Sequence, residues 1–182
     1  MRRAIVVPPV LAADALDELK SWLAITTTRD DESLGDLLRA ALEACEGFTG
    51  TMPLETGCEE VLTASYEWQA LSASPIIAIT GVEAVALDGT RSALPVEAYT
   101  IDITAGGCGR VRLTRTCPSS RIAVRFDAGL SASWIGLPDG MRHGVIRLAA
   151  HYYRERDAGD RPATPPASVS ALWRPWRRMR LA

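Results

Sequence analysis

The hydrophobic period of this chain changes twice along its length, and that change alone restricts it to a mixed fold. Leu34, Leu37, Leu38, Ala41, Leu42, Cys45 and Phe48 recur at the spacing of one buried helical stripe, with Asp30 or Asp31 available as its cap. From about Glu59 the period drops to two. Ile122, Val124 and Phe126 alternate with Ala123 and Arg125, which predicts one buried and one wet face. After Pro138 the helical period returns, with Met141, Val145, Leu148, Ala149 and Tyr152 on one stripe. Helices on either side of a run of strands make the class α+β.

The strands are expected over Glu59–Ala64, Tyr66–Leu71, Ile76–Ile79, Val82–Leu87, Ala98–Ile103, Arg110–Thr114 and Arg121–Phe126. Asp88-Gly89 and Gly106-Gly107 are hairpin signals between them, so the sheet is antiparallel. Such short connections leave no room for crossover helices, which excludes a nucleotide-binding parallel sheet. Ahead of the strands, Pro8-Pro9 should be extended, and Asp14 can cap a helix that buries Leu16, Leu19 and Leu23. The three main helices are placed at about 14–24, 31–48 and 139–156, and the β module at about 59–128. Gly47 and Gly50 are expected to end the second helix.

At 182 residues the chain has room for one connected core, and 47% hydrophobic residues supply it. The longest uncharged stretch, Trp68 to Val82, is broken by Pro75 and falls short of the roughly 20 apolar residues a membrane span requires. The opening Arg2-Arg3 and apolar run are cut by Pro8-Pro9 and followed by Asp14, against a secretory signal. Cys45, Cys58, Cys108 and Cys117 form no C-x-x-C pair and have no histidine at zinc-finger spacing, so unpaired thiols in a reducing compartment are expected. Net charge is only −2, but residues 1–60 hold 12 acids and 5 bases, whereas the remainder holds 10 acids and 15 bases. Lopsided charge of this kind bears on partners rather than on fold.

Catalytic signals are nearly absent. His143 and His151 are eight residues apart on the third helix, roughly 80° apart in rotation and more than two turns apart along the axis, too far to share a metal. Gly106-Gly107-Cys108-Gly109 lacks the GKS/T ending of a phosphate loop. No enzyme activity, cofactor or metal is expected.

The segment Asp157 to Ser168 has the composition of a linker, and beyond it lies the least ordinary stretch, Leu172-Trp173-Arg174-Pro175-Trp176-Arg177-Arg178-Met179-Arg180-Leu181. Tryptophan and arginine are the residue types most enriched at binding hot spots, and Pro175 keeps the two tryptophans out of a long helix. Three readings compete: insertion into a protein groove, which is favoured, packing back onto its own domain, and contact with nucleic acid or an anionic membrane.

Several strings in order resemble the head-tail connector, or head completion adaptor, proteins of long-tailed phages and of gene transfer agents. They are Leu16-Asp17-Glu18-Leu19-Lys20-Ser21-Trp22-Leu23, Asp30-Asp31-Glu32 with the helix to Phe48-Thr49-Gly50, and Ser74-Pro75-Ile76 with Val82 to Gly89. Tyr99-Thr100-Ile101-Asp102, Val124 to Gly129, and Pro138 through Arg156 complete the series. The ending Leu172 to Arg180 is similar to the gene-transfer-agent branch. The resemblance implies a small helical bundle with an inserted β-sandwich-like module, a connector domain over 1–157, and a linker and extended portal-binding tail over 158–182. It implies a non-catalytic adaptor, assembled as a ring of twelve copies under the portal protein, that joins capsid to tail and lines the channel for double-stranded DNA. Its further partners would be a stopper or tail-side protein, with no membrane. It would assemble in the cytoplasm and then become part of the particle. The alternative is a small DNA-binding or particle-associated regulatory module that uses the basic tail.

Two expectations follow for sites. A ring needs head-to-tail contacts between unlike surfaces, for which Asp30, Asp31 and Glu32 are candidates on the acidic side and Arg142, Arg147 and Arg154 on the basic side. Residues 168–181 are expected to be mobile in the isolated protein, to order on the portal through Trp173 and Trp176, and to be removable without loss of the fold.

Overall fold

The computed structural model describes residues 3–155 and 165–178. Two compact units emerge: a β unit of Met1–Pro9 with Glu55–Leu130, and a helical unit of Val10–Leu54 with Ser131–Ala182. A chain of mixed class with several helices and two antiparallel sheets is what the change of period requires.

The helical unit contains α1 (Ala13–Leu23), α2 (Asp31–Thr49), α3 (Asp139–Arg154) and a short α4 (Ala167–Trp173). The predicted α2 stripe is buried at Leu34, Leu37, Leu38, Ala41, Leu42 and Cys45, and the α3 stripe at Met141, Val145, Leu148 and Ala149. Leu19 from α1 and Trp134 join the same core. The Trp134 indole donates to Glu18 at 2.8 Å, so a ring this large is buried without an orphaned N–H. The caps differ from expectation. Ala12, not Asp14, precedes α1, and Asp14 lies in the first turn, where the helix dipole favours an acid. Asp30 does occupy the N-cap of α2, but its carboxylate accepts from the Tyr153 hydroxyl at 3.1 Å instead of from a backbone amide. Gly47 lies inside α2; the helix ends at Gly50, whose φ of +68° is the left-handed conformation that favours glycine there.

In the β unit, β1 (Arg3–Val7), β2 (Thr56–Thr63), β8 (Arg121–Ala128), β4 (Ile76–Val85) and β5 (Arg91–Ala93) form a five-stranded antiparallel sheet in that order. A second sheet has the order β3 (Gln69–Ala70), β7 (Gly109–Leu113), β6 (Tyr99–Ile103). β2 and β8 pair without a register shift from Thr56↔Ala128 to Thr63↔Arg121, which makes them the spine of the larger sheet. The strand expected at Tyr66–Leu71 shrinks to two residues. The pair expected at Ile76–Ile79 and Val82–Leu87 is a single strand, because two register shifts against β8 interrupt its alternation without ending its pairing. Ala123 is buried rather than wet: Glu59, Glu83 and Arg125 occupy the same face on neighbouring positions and cover it. Asp88-Gly89 and Gly106-Gly107 turn the chain as their sequences demand, with positive φ at Gly89 and Gly107.

The expectation of an extended tail is corrected over residues 167–176. They form α4 and a following 3-10 turn, and Val169 and Trp173 belong to the core of the helical unit. The segment 156–164, including Arg156 and most of the expected linker, and the end from 179 lie outside the described residues.

Candidate functional site

The Trp-Arg stretch and the helical surface that receives it are the candidate site. A seven-residue helix is too short to be stable by itself, so tertiary packing must hold α4 in place. Val169 and Trp173 stand four residues apart and present one apolar face. Trp173 is fully buried, and its indole N–H donates to the Met141 carbonyl of α3 at 3.1 Å. The ring fits because position 144 is glycine: a Cβ there would lie 2.2 Å from the Trp173 Nε1. Phe48 at the end of α2 meets the Trp173 ring at 6.0 Å between centroids.

The chain that follows is held by the end of α2. The Thr51 hydroxyl donates to the Trp176 carbonyl at 3.4 Å, and the Arg178 amide donates to the Thr49 carbonyl at 2.8 Å. Thr49 is itself fixed, since its hydroxyl donates to the Cys45 carbonyl at 2.7 Å and accepts from the Thr51 amide at 3.1 Å. The Arg177 guanidinium lies over the Phe48 ring at 5.5 Å. The sequence Phe48-Thr49-Gly50 is thus a receiving surface for residues 173–178.

Of the ten residues assigned to partner binding, Trp173 is consumed by its own core, and Leu172, Trp176 and Arg178 are half-buried. Arg174, Pro175 and Arg177 are exposed. Met179, Arg180 and Leu181 lie outside the described residues. The seam candidates divide as well. Asp31 is paired with Lys20 at 2.8 Å, Asp30 with Tyr153, and Arg142 with Asp139 at 3.0 Å and Glu18 at 3.5 Å. Glu32, Arg147 and Arg154 have no hydrogen-bond or ion-pair partner among the described residues. The structure therefore does not gather the six candidates into one cluster.

Elsewhere several titratable groups have structural partners. Glu59 accepts from both Arg91 nitrogens at 2.5 and 2.8 Å and from Arg125 at 3.3 Å, and the Arg91 hydrogen bonds hold its carboxyl below the usual range. Burial pushes the Cys45 thiol up to about 12. His143 stacks edge-on against Trp22 at 5.1 Å, and His151 faces Glu155 at 3.0 Å. None of the four cysteines is in a disulfide. No group of three or more His, Cys, Asp or Glu residues among the described residues could hold a metal, and no described helix is long and apolar enough to cross a membrane.

The receiving surface was missed by sequence reasoning, although a signal was present. Gly140 and Gly144 stand one turn apart on α3, and small residues at that spacing open a groove on a helix face. Gly140 approaches the Leu172 carbonyl and the Trp176 indole, and Gly144 the Trp173 ring.

No family model and no curated protein matches the chain. Solved structures do. Over 100% of this chain and 98% of the other, it is similar to a chain in the neck of an empty gene transfer agent particle computed with C6 symmetry, at 27% identity and a TM-score of 0.79. With the same coverage it is similar to a chain in the neck of a native particle computed with C12 symmetry, at 28% and 0.76, and to one in the virion of a native gene transfer agent, at 27% and 0.74.

Proposed function

We infer that this chain, which belongs to the head-tail connector family in its gene-transfer-agent branch, is a structural adaptor in the neck of such a particle, joining capsid to tail. Its role is non-enzymatic and it acts in association with portal and tail components around the DNA channel. The observation that carries this reading is the end-to-end likeness to neck chains, at 27% identity with 98% of that chain covered. A shared β sandwich or helical bundle alone would say little about function, but here both units and the C-terminal segment correspond.

The finer reading is a ring beneath the portal, of twelve copies in keeping with the C12 symmetry of one similar neck. It would assemble in the cytoplasm, contact a stopper or tail-side protein on its far face, and line the path of double-stranded DNA. Support for a ring is that Glu32 on α2 and Arg147 and Arg154 on α3, which have no partner among the described residues, are of opposite sign, as unlike surfaces in a head-to-tail contact require. Surface pairs contribute only about 0–1 kcal/mol each, so apolar contacts must carry the seam.

The tail is assigned to the portal in a revised form. Trp173 anchors the segment to its own unit, and the exposed Arg174, Pro175 and Arg177, with half-buried Trp176, present a basic surface for acidic portal groups. Met179, Arg180 and Leu181 extend the same assignment.

Deleting the gene in the organism that encodes it tests the function. DNA-filled heads without tails, and free tails, are expected by electron microscopy. Normal tailed particles would refute the adaptor role.

A further inference from the structure

The two sheets of the β unit have four outer edges. Two are short: β3 has two residues, and β5 has three, with Arg91 tied to Glu59. The other two, β1 and β6, are each five residues long and have a strand on one side only. Both expose apolar side chains. Ile5, Val6 and Val7 are 51%, 56% and 60% exposed, and Ile101 and Ile103 are 40% and 37% exposed.

Exposed edges of this kind are normally guarded by lysine, proline or an inward charge. β1 carries none of these after Arg3, and Pro8-Pro9 begins only where the strand has ended. On β6 the charge of Asp102 is neutralised by Arg110 at 2.7 Å. An unguarded apolar edge in a protein that persists as a defined particle component implies that something covers it. Two unlike edges of equal length on one unit are what a head-to-tail contact between identical copies needs, since one donates and the other accepts.

We propose that β1 of one copy adds as a strand to the free edge of β6 of the next copy, so that backbone hydrogen bonding runs across each subunit boundary. The occupant of each edge is a second copy of this chain. The inference rests on the ring reading above and names the contact that closes it. Backbone pairing supplies the affinity, and alternate apolar side chains supply the register.

The midpoints of the two strands, Ile5 and Ile101, lie opposite one another in full overlap whichever way the strands run, which makes them the crosslinking pair. Because Cys58 faces Ile5 across the β1–β2 pair and Cys108 is exposed beside the end of β6, the test uses a background carrying Cys58→Ser, Cys108→Ser and Cys117→Ser. Particles carrying Ile5→Cys with Ile101→Cys are oxidised and run on a non-reducing gel. A ladder of adaptor multimers is expected from the double variant and not from either single variant. Multimers from Ile5→Cys alone would mean a symmetric β1–β1 contact and would overturn the proposal. Hydrogen exchange on wild-type particles covers the case of variants that do not assemble. The amides of residues 4–7 and 99–103 should exchange at least about tenfold more slowly in the particle than in the free chain. Assembled rings with unchanged exchange at both strands would overturn the strand addition and leave the ring standing. A wild-type chain absent from particles would remove the ring reading and this contact together.

Discussion

Trp173 and Gly144 behave as a fitted pair: the indole needs the missing side chain, and its N–H needs the Met141 carbonyl. Removing the ring leaves a cavity among Phe48, Val169 and α3, so Trp173→Ala should lower stability by about 3–5 kcal/mol. Gly144→Ala gains up to about 1 kcal/mol of helix propensity but forces the ring to move, for a net loss of about 1–3 kcal/mol by urea unfolding. A Gly144→Ala variant as stable as the parent would mean that Trp173 is not seated there. Glu59 makes a second residue-scale prediction. A carboxyl whose folded value lies below its ordinary 4.5 adds stability that is fully present above that value and fades as pH falls through the folded value. Urea midpoints of Glu59→Gln should therefore fall less steeply than those of the parent as pH is lowered from about 4.5, with the parent more stable at neutral pH. Parallel profiles would show that the Arg91 and Arg125 contacts contribute nothing to acid sensitivity.

Among the elements, α4 is the one whose role changes most. The composition of residues 168 onward predicts a removable tail, yet truncation there takes Val169 and Trp173 out of the core. Ending the chain before Pro165 should lower the thermal midpoint by several degrees and expose apolar surface to a dye such as ANS. A truncated chain that melts unchanged would restore the picture of an independent tail. α2, α3 and β8 were legible because one uninterrupted period fixes each of them. The tail was not, because Pro165, Pro166, Pro175 and the arginines dominate its composition and hide a single i, i+4 pair, Val169 and Trp173, which only the groove at Gly140 and Gly144 makes meaningful. β1 escaped for a different reason: Ile5, Val6 and Val7 show no alternation, and their pairing with β2 across a register shift is a long-range fact with no local trace. The six charged seam candidates came from charge balance alone, which cannot show that Lys20, Tyr153, Asp139 and Glu18 already occupy three of them.

At the scale of the whole molecule, one chain supplies a helical unit that secures its own C-terminal segment and a β unit with two unlike open edges. Neither unit holds an assembled reactive centre among the described residues, and the end-to-end likeness is to chains of gene transfer agent necks. Function then resides in what the surfaces join. A cryo-EM reconstruction of the neck of particles from the encoding organism tests this most directly. Density for this chain is expected as a closed ring between portal and tail, with its C-terminal basic surface toward the portal. Intact tailed particles whose necks contain no copy of the chain would contradict it.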